Sequence, residues 1–286
     1  MIGYVTDPLQ YPFMQRAFVE VLLLSVPAGL LGGWIVLRRL SFLTHAVGAA
    51  TFPGLVLGFG LGFSPWLGAF GVAAIFGGAQ STLERRCKLD AGAITGLLLA
   101  TALAAGSLLT SNVFHSSATV DGLLFGSLLA IGDADIARAL VLDVVCVALV
   151  LVAGRGLLAT SYTPETATSL GYRRGVHDAL LLLVLGAAVV SCSAAIGGFV
   201  VSGLLVVPAA TARLLARSVL ELQLGATLLA AVESALGLVL AFQLDVPPGA
   251  AIAVLAAAVY LVLVLAIPLR ARLEHRSAPP IIRELA

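Results

Sequence analysis

The chain has 286 residues, of which 60% are hydrophobic and only 11% charged, with a mean hydropathy of +1.09. Ordinary soluble domains carry about 25% charged residues, so the composition excludes that class and indicates an all-α polytopic membrane protein. The formal net charge of +1 does not suggest a nucleic-acid binder, which needs a clustered basic face rather than arginines scattered between apolar runs. Cys87, Cys146 and Cys192 are odd in number and widely spaced; they indicate neither a disulfide framework nor a zinc cluster.

In chain order, residues 1–16 lack the charged start and small-residue cleavage site of a signal peptide. They are expected to be retained as an extracytoplasmic or interfacial segment. A spanning helix needs about 20 apolar residues, because it rises about 1.5 Å per residue across roughly 30 Å of hydrocarbon. Such runs lie at 17–37, 46–63, 65–83, 91–110, 136–154, 176–195, 219–242 and 248–269. The run 196–216, IGGFVVSGLLVVPAATARLLA, is apolar but rich in Gly, Pro and small residues. It is a ninth span or a broken, partly re-entrant one. One transmembrane domain, 17–269, is thus predicted, followed by a tail at 270–286.

Counting nine crossings puts Arg38/Arg39, Arg85/Arg86/Lys88, Arg155/Arg173/Arg174, Arg213/Arg217 and Arg270/Arg272/Arg276/Arg283 on one side, leaving Arg16 and Arg138 opposite. The positive-inside rule makes the populated side cytoplasmic, with the C-terminus inside and the N-terminus outside. The segment 111–135 is then extracytoplasmic, and its nine-residue run LLFGSLLAI is too short to span, so it lies at the interface or dips in. Nucleotide-binding loops, nucleophile elbows and HExxH patterns are missing from the sequence. Any driving force must come from a partner.

Residues 159–178, ATSYTPETATSLGYRRGVHD, carry helix punctuation. Thr163 suits an N-cap and Pro164 the first turn, Glu165 favours the positive end of the dipole, and Gly171 supplies a left-handed stop. A helix of about two turns follows, either a capped connector or a lever lying along the membrane face that docks into a partner.

PETATSLG, at 164–171, resembles the coupling-helix motif of ABC importer permeases of the vitamin B12, siderophore and metal type. RRLSFLTHAVGAATFPGLVLG resembles the opening of the second helix of the manganese, zinc and iron permeases, LDAGAITG the start of the fourth, and LLFGSLLAI the external segment. IGGFVVSGLLVVPAATARLLA and LDVPPGAAI complete a series in family order. The resemblance implies a homodimeric permease in the bacterial cytoplasmic membrane, served by two ABC ATPase subunits and an extracytoplasmic solute-binding protein. The permease would bind no cofactor, ATP would be spent at the partner subunits, and a divalent transition metal would be the cargo. It assigns ATPase coupling to Pro164, Glu165, Thr166, Ala167, Leu170 and Gly171. An ion-coupled carrier or channel stands as the competing class.

Ionisable residues inside a bilayer cost about 2.5–3.5 kcal/mol on insertion scales and mark function by default. Glu20, His45, Asp143 and Glu233 are such residues. His45, Asp143, Glu233 and the small residue Ser202 are the candidate substrate path, with His45 the candidate metal ligand. In the family the second helix offers an acidic residue followed four positions later by histidine; the matching positions here are His45 and Ala49. His45 therefore acts with its copy across a dimer axis, or is a satisfied polar residue near the cytoplasmic end, or the cargo is a metal chelate. Arg38 and Arg39 are expected at the headgroups, with His45 about six residues, roughly 9 Å, deeper.

Overall fold

The computed structural model describes residues 10–87, 89–113, 128, 131–162, 167, 169–197 and 200–277. The longer helices among them are α1 (Pro12–Leu37), α2 (Ser41–Leu61), α3 (Pro65–Arg86), α4 (Ala91–Leu108), α5 (Asp133–Tyr162), α6 (Arg174–Ile196), α7 (Val201–Arg213), α8 (Val219–Leu244) and α9 (Pro248–Ser277). No strand occurs among the described residues.

Local chemistry sets the boundaries. Proline opens α1, α3 and α9, where its missing N–H and fixed φ cost nothing. Asp90 caps α4 by accepting from the Gly92 amide at 2.9 Å. Ser218 caps α8 through the Glu221 amide at 3.2 Å, while the Glu221 carboxylate accepts from Arg217 N at 2.9 Å. Gly62, at φ 73°, closes α2 in the left-handed region that favours glycine.

Eight of these helices are long and apolar enough to cross a membrane. α7 has 13 residues and rises only about 20 Å, short of a full hydrocarbon core. The bundle has two ends. At one, Arg16 pairs with Asp133 at 2.8 Å and Tyr11 stacks near Phe242. At the other, Arg38 pairs with Asp178, the Gln80 amide donates to Ala91 O, and Leu37, Tyr162, Arg213 and Val219 line one pocket. α6 runs away from the Arg38 end until Ile196, which lies against Gly249 at the start of α9, and α7 brings the chain back to Arg213. The segment 196–216 is therefore broken, with Gly197 at φ 94° ending α6, and the second piece makes a short return pass. The Arg16 end holds Arg16 and Arg138, and the Arg38 end holds Arg38, Arg86, Arg173, Arg213 and Arg217.

α1 is the hub, packing against α5, α6, α7 and α8. Small residues permit this. A Cβ on Gly29 would strike the Thr227 backbone, and one on Gly32 would meet the Ala209 methyl at 2.8 Å, so α8 and α7 approach α1 nearly backbone to backbone. Trp34, Leu24, Leu31 and Ile35 fill the centre at 2% exposure or less. The faces turned outward are the ordinary lipid-facing kind, with Leu67, Ile75, Val152, Val254 and Leu265 exposed.

Several boundaries differ from the hydropathy reading. α2 begins at Ser41, five residues before the apolar run, with His45 in its second turn, and α5 runs on to Tyr162, with Thr160 and Ser161 donating back to the Gly156 and Leu157 carbonyls. α9 continues to Ser277, into the stretch expected as tail. Pro53 does not break α2, which is continuous through Leu61; its missing N–H deprives only the Ala49 carbonyl of its helical donor. Of the run 123–131, the described Leu128 and Ile131 are buried in the core.

Candidate functional site

His45 lies on α2 one turn in from the Arg38 end, and its Nδ1 is 3.1 Å from the Ser202 hydroxyl on α7. Both side chains are half-buried. Two residues 157 positions apart, each singled out in the sequence, thus meet across one helix contact. A neutral imidazole with one nitrogen and a hydroxyl beside it can offer a divalent cation a nitrogen and an oxygen. The Thr44 hydroxyl, beside His45 in sequence, donates to Leu40 O at 2.9 Å. Ala49, one turn further, is buried at 1% exposure among Ala46 and Ala50 and supplies no side-chain ligand.

Asp143 and Glu233 do not join them. Asp143, on α5, accepts from the Ser191 hydroxyl of α6 at 3.1 Å, and its other oxygen has no partner among the described residues. Glu20 on α1 lies within electrostatic range of it. Glu233 sits alone on α8 at 3% exposure, neither carboxylate oxygen partnered among the described residues. The four path candidates are therefore one pair, His45 with Ser202, and two separate acidic positions. Among the described residues no three His, Cys, Asp or Glu side chains converge as a metal site.

The coupling connection follows α5. Pro164, Glu165 and Thr166 lie outside the described residues. Ala167 is helical and fully buried, and its carbonyl accepts from Tyr172 N at 2.9 Å. Leu170 is 67% exposed beside Gly171 at φ 84°. The left-handed glycine ends the turn and presents an apolar side chain outward.

The sequence reading missed Arg38. Its side chain is not held at headgroups: it is 13% exposed and donates to Ser161 Oγ and Thr160 Oγ1, both at 2.7 Å, to Leu157 O at 3.3 Å and to Asp178 at 2.5 Å. Burial of a cation demands such partners. Opposite charges at the ends of two spans on one side were the available signal, but nothing in the sequence pairs those spans. Beside this network a cleft of about 510 Å³ separates Arg38, Ser161 and Asp178 from Gln80 and Glu84 of α3.

Residues 10–267 match the profile of a family described as the ABC 3 transport family. The manganese import system permease ScaB of Streptococcus parasanguinis is 30% identical over 280 residues, 96% of this chain and 98% of that protein. The chelated iron transport system membrane protein YfeD of Yersinia pestis is 27% identical over 281 residues, 98% of this chain and 94% of its own. Among solved structures, PsaBC from Streptococcus pneumoniae in complex with Fab superposes with a TM-score of 0.83 at 27% identity, covering 92% of this chain and 95% of that one.

Proposed function

Because the chain belongs to the ABC 3 transport family, we propose that it is the membrane-spanning permease of a binding-protein-dependent ABC importer that moves a divalent transition metal, manganese first, into a bacterial cytoplasm. The observation that carries this reading is the full-length likeness to ScaB, a manganese import permease. Two copies form the path, two ATPase subunits engage the connection around Leu170 and Gly171, and a solute-binding protein delivers cargo at the Arg16 end. The Arg38 end is cytoplasmic, which the clustering of arginines there supports.

Metal passes His45 and Ser202. One imidazole per protomer, facing that of a second copy, gives two nitrogen ligands, and the neighbouring hydroxyls supply oxygen. So small a protein ligand set holds cargo weakly, as a site that must release it requires. Glu233 and Asp143 are secondary positions on the way, reached by cargo before or after the His45 pair.

His45 and Ala49 stand where the resemblance implies an acidic residue and a histidine, which favours a second reading, a chelated metal as cargo, since a chelator brings its own ligands. Competition between free manganese and a manganese chelate for the same uptake separates the two. The test of the main reading is assembly and stimulation. The purified chain should form a stable complex with its ATPase subunits, and ATP hydrolysis by that complex should rise when metal-loaded binding protein is added. Failure to form any such complex would overturn the reading.

A further inference from the structure

We propose that Arg38 is a positioning residue that ties both ends of the coupling connection to the turn in front of His45; this rests on reading that connection as the lever that contacts the ATPase. Thr160 and Ser161 are in the last turn of α5, immediately before the connection, and Asp178 is in the second turn of α6, immediately after it. One guanidinium reaches all three: Nε donates to Ser161, Nη2 to Thr160, and Nη1 to Asp178. A further bond from Nη2 goes to the Leu157 carbonyl. The connection therefore enters and leaves the bundle through a single clamp.

The clamp is anchored at the tight turn between α1 and α2. Arg38 is the C-cap of α1, its amide bonded to Trp34 O at 2.9 Å. Arg39 follows at φ 58°, a left-handed conformation that a β-carbon disfavours, and Leu40 N closes the turn on Ile35 O at 2.8 Å. α2 starts at Ser41, and His45 is four residues on. Displacement of either end of the connection thus pulls on the α1–α2 turn, and through one helical turn on the residue that meets Ser202. The cleft between the clamp and α3 leaves this turn room to move.

The geometry requires arginine. Its planar fork directs donors to separate acceptors, whereas a lysine ammonium is a point charge that cannot span them. The Arg38 side chain is 13% exposed and that of Asp178 39%, so solvent screens the Asp178 side of the pair, while the bonds to Thr160, Ser161 and Leu157 hold the guanidinium from the inner side.

The test uses the assembled transporter in lipid vesicles, reading ATP hydrolysed per manganese ion imported, together with hydrogen exchange of backbone amides 169–177 in the permease alone. Arg38→Gln should raise the ATP-to-ion ratio on the order of tenfold, within the usual range of coupling between sites, and should speed exchange in the connection. Arg38→Lys, which keeps the charge and the stem, guards against misfolding and should show the same direction with smaller size. Asp178→Asn keeps an acceptor and should fall between wild type and Arg38→Gln. An unchanged ratio in both Arg38 variants overturns the inference, even if exchange has risen. If the wild-type assembly imports no manganese, the functional reading fails by itself, and exchange then decides the clamp: wild-type rates in Arg38→Gln overturn it, faster rates support it.

Discussion

Adding one methyl group at Gly54 should loosen the contact between α2 and α3, whereas the same addition at Gly71, on α3 one turn beyond the contact, should not. A Cβ on Gly54 would lie 2.6 Å from the Gly68 carbonyl carbon and 2.8 Å from Ala69 Cα, and a Cβ on Gly68 would lie 3.0 Å from the Gly54 carbonyl carbon. The two backbones touch, so the helices must separate by close to an ångström to admit Ala. Overpacking of this kind costs about 1–3 kcal/mol. At about 2–4 °C per kcal/mol for a chain of this size, the melting midpoint of Gly54→Ala should fall by about 2–12 °C. A Cβ on Gly71 meets nothing within 4 Å, and Ala is a better helix former than Gly by about 0.5–1 kcal/mol, so Gly71→Ala should be neutral or melt slightly higher. Cys146 and Cys192 are buried at 1% and 0% exposure, so once the half-buried Cys87 is replaced by Ser in every variant, a thiol-reactive dye in detergent reads unfolding. Equal shifts in the two variants would refute the close α2–α3 packing.

Other outcomes follow from the same geometry. His45→Ala should lower manganese uptake at least tenfold, while Ser202→Ala, which removes one oxygen beside the imidazole, should raise the apparent KM several-fold with expression preserved; normal uptake in His45→Ala would make the histidine structural. Gly171→Pro forces φ to about −65° where the chain stands at 84°, and should uncouple ATP hydrolysis from uptake, checked by the ratio of the two rates in vesicles. Asp133→Asn breaks the ion pair with Arg16, but the Asp133 side chain is 79% exposed, so its melting midpoint should move little, as surface pairs contribute about 0–1 kcal/mol.

The span pattern was legible in the sequence because lipid leaves the backbone no alternative to helices and because apolar length reads directly as span length. Segment 196–216 was legible as irregular, since Gly197 and Pro208 mark it. That it splits at Gly197 into the end of α6 and a short α7 depends on packing against α1, α8 and α9, which no local pattern carries. The His45–Ser202 meeting joins two residues picked out separately, yet their contact spans 157 positions and is set by the bundle. Asp143 and Glu233, picked out as ionisable residues within spans, are buried at 4% and 3% exposure, but their place in a span says nothing about which neighbour a helix turns toward. Arg38 shows the converse. A basic residue at a span end reads as a headgroup anchor by default, and only the arrival of α5 and α6 beside α1 turns it inward.

As an ABC importer permease, the chain should move metal only when an ATPase drives it. Vesicles containing the permease, its ATPase subunits and manganese-loaded binding protein at the Arg16 face should accumulate radiolabelled manganese against its gradient when ATP is supplied at the Arg38 face. No accumulation is expected when ATP is replaced by a non-hydrolysable analogue or when the ATPase subunits are left out. Manganese movement by the permease alone, at the same rate with or without ATP, would contradict that reading and make the chain a carrier or channel.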